Sequence, residues 1–187
     1  MNYYKELDWH PLQHKIQEEL LEHVRKLGYL NGRIPHTFKG MDMQLMLSRC
    51  PSIVTYLADL NLTPLYSTLY ATDRATREIN DIHTHNDTSS AARINFPILN
   101  SSRARTVFWS VDPQYTHYRI HKNGERSYVS LDPDPVELDS LRITRPTVLS
   151  AYTPHSVVLD RDGERRITMI LTVDPDPVSY LYEQTGL

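Results

Sequence analysis

From Leu62 to about Val173 the chain offers no helix-length apolar pattern. It offers short segments rich in Thr, Val, Ile and Tyr, separated by turn residues, and such a stretch can fold only by pairing strands. Strands are expected near Leu65–Ala71, Asp81–Thr84, Ala92–Leu99, Thr106–Val111, Tyr115–His121, Ser127–Leu131, Thr147–Ala151, His155–Asp160 and Arg166–Val173. Asn123-Gly124 and Asp162-Gly163 read as two-residue hairpin turns. With no helices between the strands, the sheets should be largely antiparallel. A jelly-roll or cupin-like double sheet follows, mainly β, with the N-terminal helices packed on one side. Asp-Pro-Asp-Pro-Val occurs at 132–136 and again at 174–178; both copies read as strand terminators, because proline removes a ladder donor.

The helices come first. Leu12, Ile16, Leu20, Val24 and Leu27 mark an amphipathic helix over 11–27, with Pro11 at its start and Gly28 at its stop. Asn31 to Gly40 reads as a loop. A second helical region runs from Asp42 to Leu60, broken at Pro51 and stopped at Asn61. The 187 residues therefore form one domain: helical support over 1–61, a β core over 62–173 and a C-terminal tail over 174–187.

Composition narrows the functional classes. Apolar content of 40% and charged content of 23% are those of a globular protein. A net charge of −3 gives no strong nucleic-acid signature. No run is long and apolar enough for a membrane span, and the start of the chain shows no signal region, so the expectation is cytoplasmic. The single cysteine, Cys50, fits that compartment, sits in a helical stretch and has no base nearby. With only six glycines and no Gly-x-Ser-x-Gly, nucleophilic catalysis and phosphate-cradling loops have little support.

The chemistry concentrates in Ile82-His83-Thr84-His85-Asn86-Asp87. His85 and Asp87, at i and i+2 on a strand, point the same way and can reach one cation. His155 opens a later strand, and Arg165-Arg166 opens the last strong one. If Asp162-Gly163 closes a hairpin, His155 faces Ile170, Val157 faces Thr168 and Leu159 faces Arg166. His155, Arg166 and Thr168 then share a sheet face. Arg166 would stand about 13 Å from the level of His155, a gap suited to a small dicarboxylate bound to the metal at its other end. Arg165 would point to the other face, paired with Asp160.

The ordered set His85-Asn86-Asp87, His155 and Arg166-Ile167-Thr168 resembles the His-x-Asp, distal His and Arg-x-Ser/Thr pattern of the Fe(II)/2-oxoglutarate-dependent oxygenase superfamily. Arg93-Ile94-Asn95 is similar to the Arg-x-His segment of the aspartyl/asparaginyl β-hydroxylase branch, with Asn95 in the histidine's place. The resemblance spans about residues 65–173 and implies a double-stranded β-helix. It implies Fe(II) on His85, Asp87 and His155, with 2-oxoglutarate as cosubstrate anchored by Arg166 and Thr168. Arg93 and Asn95 would join the cosubstrate-binding residues, contact with the substrate being the other reading left open for them. The implied activity consumes O2, releases succinate and CO2, and hydroxylates an unactivated C–H bond of a small molecule or protein side chain. Prime substrate and oligomeric state are not written in the sequence.

Two alternatives stand beside this. A cupin-like domain can bind a metal or small ligand without turnover. His83-x-His85-x-Asp87 also resembles the opening of the metallo-β-lactamase zinc motif, but Thr88 stands where that motif has a histidine, and a strand rather than a helix follows. His83 is then a neighbour rather than a ligand. His117, Arg119 and His121 could line a substrate entrance, and Thr72–Asn80 and Asp112–Leu141 are the loops expected to select the substrate.

Overall fold

The computed structural model describes residues 2–30, 37–73, 82–85, 91–120, 126–161 and 164–182; strand residues 37–38, 82–85, 118–120 and 126–129 are described by their backbone alone. Three helices, α1 (Gln13–Lys26), α2 (Met43–Arg49) and α3 (Pro51–Asp59), are present among the described residues. Their limits follow the sequence signals. Gly28 takes φ +80 just past α1 and Asn61 takes φ 55 just past α3, both left-handed positions that these residues tolerate. Asp42 caps α2 by accepting from the Leu45 N–H at 3.0 Å, and Pro51 starts α3 where its missing N–H costs nothing. Glu19 of α1 accepts from both the Ser52 N–H and the Ser52 hydroxyl, at 3.0 and 2.9 Å, tying the start of α3 to α1.

The strands are β1 (Tyr4–Glu6), β2 (Thr37–Gly40), β3 (Thr63–Thr72), β4 (Ile82–His85), β5 (Ala92–Leu99), β6 (Ala104–Ser110), β7 (Thr116–Ile120), β8 (Arg126–Ser130), β9 (Val136–Leu141), β10 (Thr147–Ser150), β11 (His155–Leu159) and β12 (Arg166–Asp174). They form two six-stranded antiparallel sheets, in the orders β1-β10-β5-β12-β3-β2 and β7-β8-β4-β11-β6-β9. We call the first the helix-backed sheet, because α1 and α3 pack on it, and the second the outer sheet. The protein is mainly β, as expected. Strands β1, β2 and β9 lie where loops or no element were expected. All three are sheet edges, short or exposed, and owe their form to pairing rather than to an apolar pattern.

The main core lies between the helices and the helix-backed sheet. Leu69, Ala71, Ile94, Phe96, Ile98, Val148, Ile167, Met169, Leu171 and Val173 point from the sheet toward Ile16, Leu20, Ile53, Tyr56 and Leu57. The Tyr56 and Phe96 rings meet edge to face at 5.8 Å. Leu181, in the short turn Pro177–Leu181, is fully buried in the same core. A smaller cluster of Phe108, Leu141, Ile143 and Leu149 bridges the two sheets, with Tyr3 and Tyr4 stacked near Phe108 at 5.4 and 6.1 Å.

One core position is at odds with its surroundings. His23 of α1 is 2% exposed, and neither ring nitrogen has a hydrogen-bond partner among the described residues. Burial, then the nearby Arg49 and Lys26, hold its pKa below the usual histidine value. The unfolded chain therefore binds a proton more readily than the folded one. Stability should be insensitive to this group above about pH 6.5 and should fall below it, by up to about 1.4 kcal/mol per pH unit. Denaturant titrations of the parent and His23→Leu between pH 7.5 and 5 should show a shallower acid slope in the variant; parallel curves would exclude His23 as the cause.

Candidate functional site

The inner faces of the sheets can be read from register, because directly opposed residues share a face. Phe108 opposes His155 on the outer sheet and packs with Leu149 of the helix-backed sheet, so both lie on inward-facing sides. On the helix-backed sheet, Leu149 pairs with Arg93, Thr147 with Asn95, Asn95 with Ile170, Pro97 with Thr168, Thr168 with Tyr70, and Arg166 with Thr72. Arg166, Thr168, Asn95 and Arg93, the four candidate cosubstrate residues, therefore share one inward face. On the outer sheet, Val157 and Thr106 share the face of His155.

The polarity of the helix-backed sheet is the reverse of an ordinary sandwich. Most of its apolar residues point out, toward the helices; the side facing the outer sheet holds Leu149, Pro97 and Ile170 but is otherwise polar, with Arg93, Asn95, Thr68, Tyr70, Thr72, Arg166 and Thr168. Several inward residues keep partial solvent access: Thr68, Arg93, His155, Val157, Ile170 and Thr172 are half-buried. The sheets thus enclose a polar cleft, open at the Arg93 and His155 end. At its other end Arg166 and Thr168 are buried.

Arg166 is the most informative residue in the cleft. It is 3% exposed, and its Nε is buried without a hydrogen-bond partner among the described residues. Its guanidinium lies over the Tyr70 ring, 5.5 Å from the centroid. Burial, partly opposed by Tyr70, brings its pKa down to about 10, so it stays cationic at neutral pH. No carboxylate pairs with it among the described residues. A lone buried cation costs several kcal/mol, so the position fits an anionic ligand. Beside it, the Thr168 hydroxyl lies 3.4 Å from the Ser101 hydroxyl, which also donates to the Ile167 carbonyl at 3.4 Å.

His155 is prepared in a different way. Its Nδ1 lies 2.7 Å from the Thr153 carbonyl oxygen. A carbonyl can only accept, so Nδ1 carries a proton, and in the neutral ring the lone pair is on Nε2, the tautomer a metal-binding imidazole needs. On β4, His83 is directly opposite His155, and position 85 lies two residues along on the same face. The side chain of His85, and all of Asp87, fall outside the described residues. Among the described residues no group of three His, Cys, Asp or Glu could hold a metal ion. Asp176, in the second Asp-Pro-Asp-Pro-Val copy, accepts from the Ala91 N–H at 2.5 Å, fixing the chain where it re-enters the sheet four residues after Asp87.

The route by which the sequence placed Arg166 needs correction. β11 and β12 are not a hairpin: β11 pairs with β4 and β6, and β12 with β3 and β5, in different sheets. The expected pairs of His155 with Ile170, Val157 with Thr168 and Leu159 with Arg166 do not form, and the 13 Å separation read from them does not apply. His155 and Arg166 face one cleft from opposite walls. Arg165 does point away from that cleft, but its partner is not Asp160. Arg165 Nη1 donates to the Tyr29 carbonyl at 3.0 Å, while Asp160 takes a bidentate pair from Arg142 at 2.8 and 3.0 Å. Asp162, Gly163, Asn123 and Gly124 lie outside the described residues, as do 74–80, Arg74 and Arg77 among them. β7 and β8 do pair as expected. His117 is exposed, His121 is outside the described residues, and only the backbone of Arg119 is described.

The sequence reading missed Tyr70, Ser101 and the Thr153 carbonyl. Tyr70 could have been found from the alternation Tyr66, Thr68, Tyr70, Thr72, which sets a polar face on β3 opposite Leu69 and Ala71. Ser101 and Thr153 act from connections, where no periodicity marks them. Cys50 is fully buried, and burial pushes its thiol up to about 12, which removes it as a nucleophile.

No protein-family model matches the chain, and no curated protein matches it. Solved structures do. The chain is similar to the non-haem alpha-ketoglutarate-dependent epimerase SnoN from nogalamycin biosynthesis, at 14% identity and a TM-score of 0.50, over 92% of this chain and 78% of that one. A structure of SnoN in complex with Fe3+, alpha-ketoglutarate and nogalamycin RO matches at 16% identity and a TM-score of 0.46, over 99% and 86% of the two chains. Acireductone dioxygenase from Bacillus anthracis, with a cadmium ion in its active centre, matches at 12% identity and a TM-score of 0.34, over 92% and 78%. The first of these likenesses shows a shared fold. No described helix is long and apolar enough to cross a membrane.

Proposed function

We propose that this protein is an Fe(II)- and 2-oxoglutarate-dependent oxygenase that hydroxylates an unactivated C–H bond in the cytoplasm. The observation that carries the reading is Arg166, a buried cation without an acidic partner among the described residues, at the less accessible end of a polar cleft. His155, with its lone pair committed to Nε2, faces that cleft from the opposite wall. Two further features support it. Strands β3 to β6 and β9 to β12 alternate between the sheets, with the β7–β8 hairpin inserted, a strand order in keeping with the double-stranded β-helix proposed here. The fold shared with SnoN can host alpha-ketoglutarate-dependent chemistry, although a fold does not set the reaction.

His85, Asp87 and His155 would hold the metal, a two-histidine, one-carboxylate set with the donor types suited to non-haem Fe(II). Arg166 would take the C5 carboxylate of 2-oxoglutarate in a charge-assisted bond, with the Thr168 hydroxyl beside it. Asn95, 6% exposed and midway along the same face, would line the cosubstrate's path. Bound together, Fe(II), 2-oxoglutarate and O2 supply oxidative decarboxylation to succinate and CO2, coupled to oxidation of the substrate. The chain's part is to bind and orient: Thr153 holds the His155 ring, Tyr70 supports the guanidinium, and burial excludes water from the less accessible end.

Purified protein with Fe(II) should release succinate from 2-oxoglutarate, slowly without substrate, as read by NMR. Tight binding of iron and 2-oxoglutarate with no succinate would favour a binding protein without turnover. No 2-oxoglutarate binding at all would sink the proposal.

A further inference from the structure

Resting on the metal-site reading, we propose that Asp176 is a positioning residue for the metal: from the C-terminal turn it sets the spacing between the two chain segments that carry Asp87 and His155. Its carboxylate is committed twice. Oδ2 accepts from the Ala91 N–H at 2.5 Å and Oδ1 from the Val178 N–H at 2.9 Å. Ala91 is held on its other side as well, because its carbonyl accepts from the Ala151 N–H at 2.9 Å. Ala91 thus ties together the C-terminal turn, the start of β5 and the end of β10. It stands four residues after Asp87, and Ala151 stands four residues before His155. Four residues reach at most about 14 Å, so whatever fixes Ala91 and Ala151 bounds where both ligands can be delivered.

The bonds continue toward His155. The Thr153 hydroxyl donates to the Ser150 hydroxyl at 3.0 Å, and Ser150 is fully buried beside Ala151. The Thr153 carbonyl accepts from His155 Nδ1 at 2.7 Å, and the Pro154 carbonyl accepts from the Trp109 N–H at 2.8 Å. From Asp176 to the His155 ring the path is an unbroken run of hydrogen bonds and short covalent links. Its far end is firm, since Pro177 and Leu181 are buried and the Leu181 carbonyl accepts from the Asn2 N–H at 3.1 Å. Bonds from backbone N–H groups to a carboxylate are charge-assisted, about twice as strong as neutral ones. With both oxygens engaged in this way, Asp176 acts on the metal through Ala91 and not as a ligand.

The test compares Asp176→Ala and Asp176→Asn with Glu19→Ala. The Glu19 carboxylate also accepts two hydrogen bonds, both from Ser52, but does so among the helices. Mn(II) is titrated calorimetrically, well below the unfolding temperature of each form and without 2-oxoglutarate. Asp176→Ala should weaken Mn(II) by about tenfold or more, as loss of a group that orients a metal ligand does. Asp176→Asn keeps an accepting oxygen and should fall between Asp176→Ala and the parent. Glu19→Ala should lower the unfolding temperature and leave the Kd unchanged. The coupling must be reciprocal, so Zn(II) bound in place of Mn(II) should slow amide exchange at Ala91 and Ala151 in the parent, read by NMR. This measurement needs no variant and stands even where Asp176→Ala fails to fold. The proposal is overturned if either Asp176 variant that folds binds Mn(II) as tightly as the parent, if Glu19→Ala weakens Mn(II) as much, or if the metal leaves both exchange rates unchanged. A parent that binds no Mn(II) would instead remove the metal-site reading on which the proposal stands.

Discussion

Arg166→Met should lose 2-oxoglutarate binding while leaving the ligand-free protein at least as stable as the parent. The two halves of this result pull apart because the arginine is a buried cation with no acidic partner among the described residues. Removing one member of a buried charge pair costs about 3 kcal/mol or more, on the order of a hundredfold or more in Kd for the cosubstrate. Without the ligand there is no pair to break. Replacing a lone buried charge by an apolar chain of similar length relieves a burial cost on the order of several kcal/mol, more than the roughly 1–2 kcal/mol lost with the contact to the Tyr70 ring. Calorimetric titration with 2-oxoglutarate and thermal unfolding without it measure both. A variant that unfolds more easily yet keeps its affinity would make Arg166 a structural residue. Arg165→Ala is the control, since that side chain bonds the Tyr29 carbonyl in the turn after α1.

Asp87→Ala and His155→Ala are each expected to abolish succinate release, and to do so by loss of the metal. A facial set of three ligands leaves no spare donor, so either change should weaken Fe(II) or Mn(II) by orders of magnitude. His83→Ala should retain the metal. Metal binding is measured by calorimetry and turnover by succinate, so a variant that keeps metal but not turnover is distinguished from one that keeps neither. Retention of tight metal binding by Asp87→Ala would mean that the His-x-Asp reading is wrong.

The sequence carried the strands with buried faces and the order of the polar residues. It did not carry which sheet each strand joins. The sequence puts Arg166 and Arg165 on opposite faces, and they do lie so, but by parity along β12 rather than by the hairpin that suggested it; His155 is not on the same sheet. Parity is local to a strand: if residue 166 points in, 165 points out, whatever the partner. Pairing is not local. Asp162-Gly163 fits a tight hairpin and equally fits a short link between two sheets, so no local pattern could choose. β9 escaped for a related reason. Val136 and Leu138 are 62% and 44% exposed, so no buried stripe marked them, and pairing with β6 alone makes the segment a strand. The preparation of His155 was also out of reach, because it depends on a backbone carbonyl whose direction no residue type declares.

The reversed polarity of the helix-backed sheet has a consequence for how this protein can be altered. Cohesion resides on the side that faces α1 and α3, where Phe96, Ile94 and Met169 are packed. The residues that meet a ligand hang from the opposite side of the same strands. Each of β3, β5 and β12 therefore alternates, residue by residue, between holding the chain together and shaping what it accepts. Libraries that vary Thr68, Asn95, Ile170 and Thr172 together should yield mostly folded variants with changed selectivity. Libraries at the intervening positions should yield mostly unfolded ones.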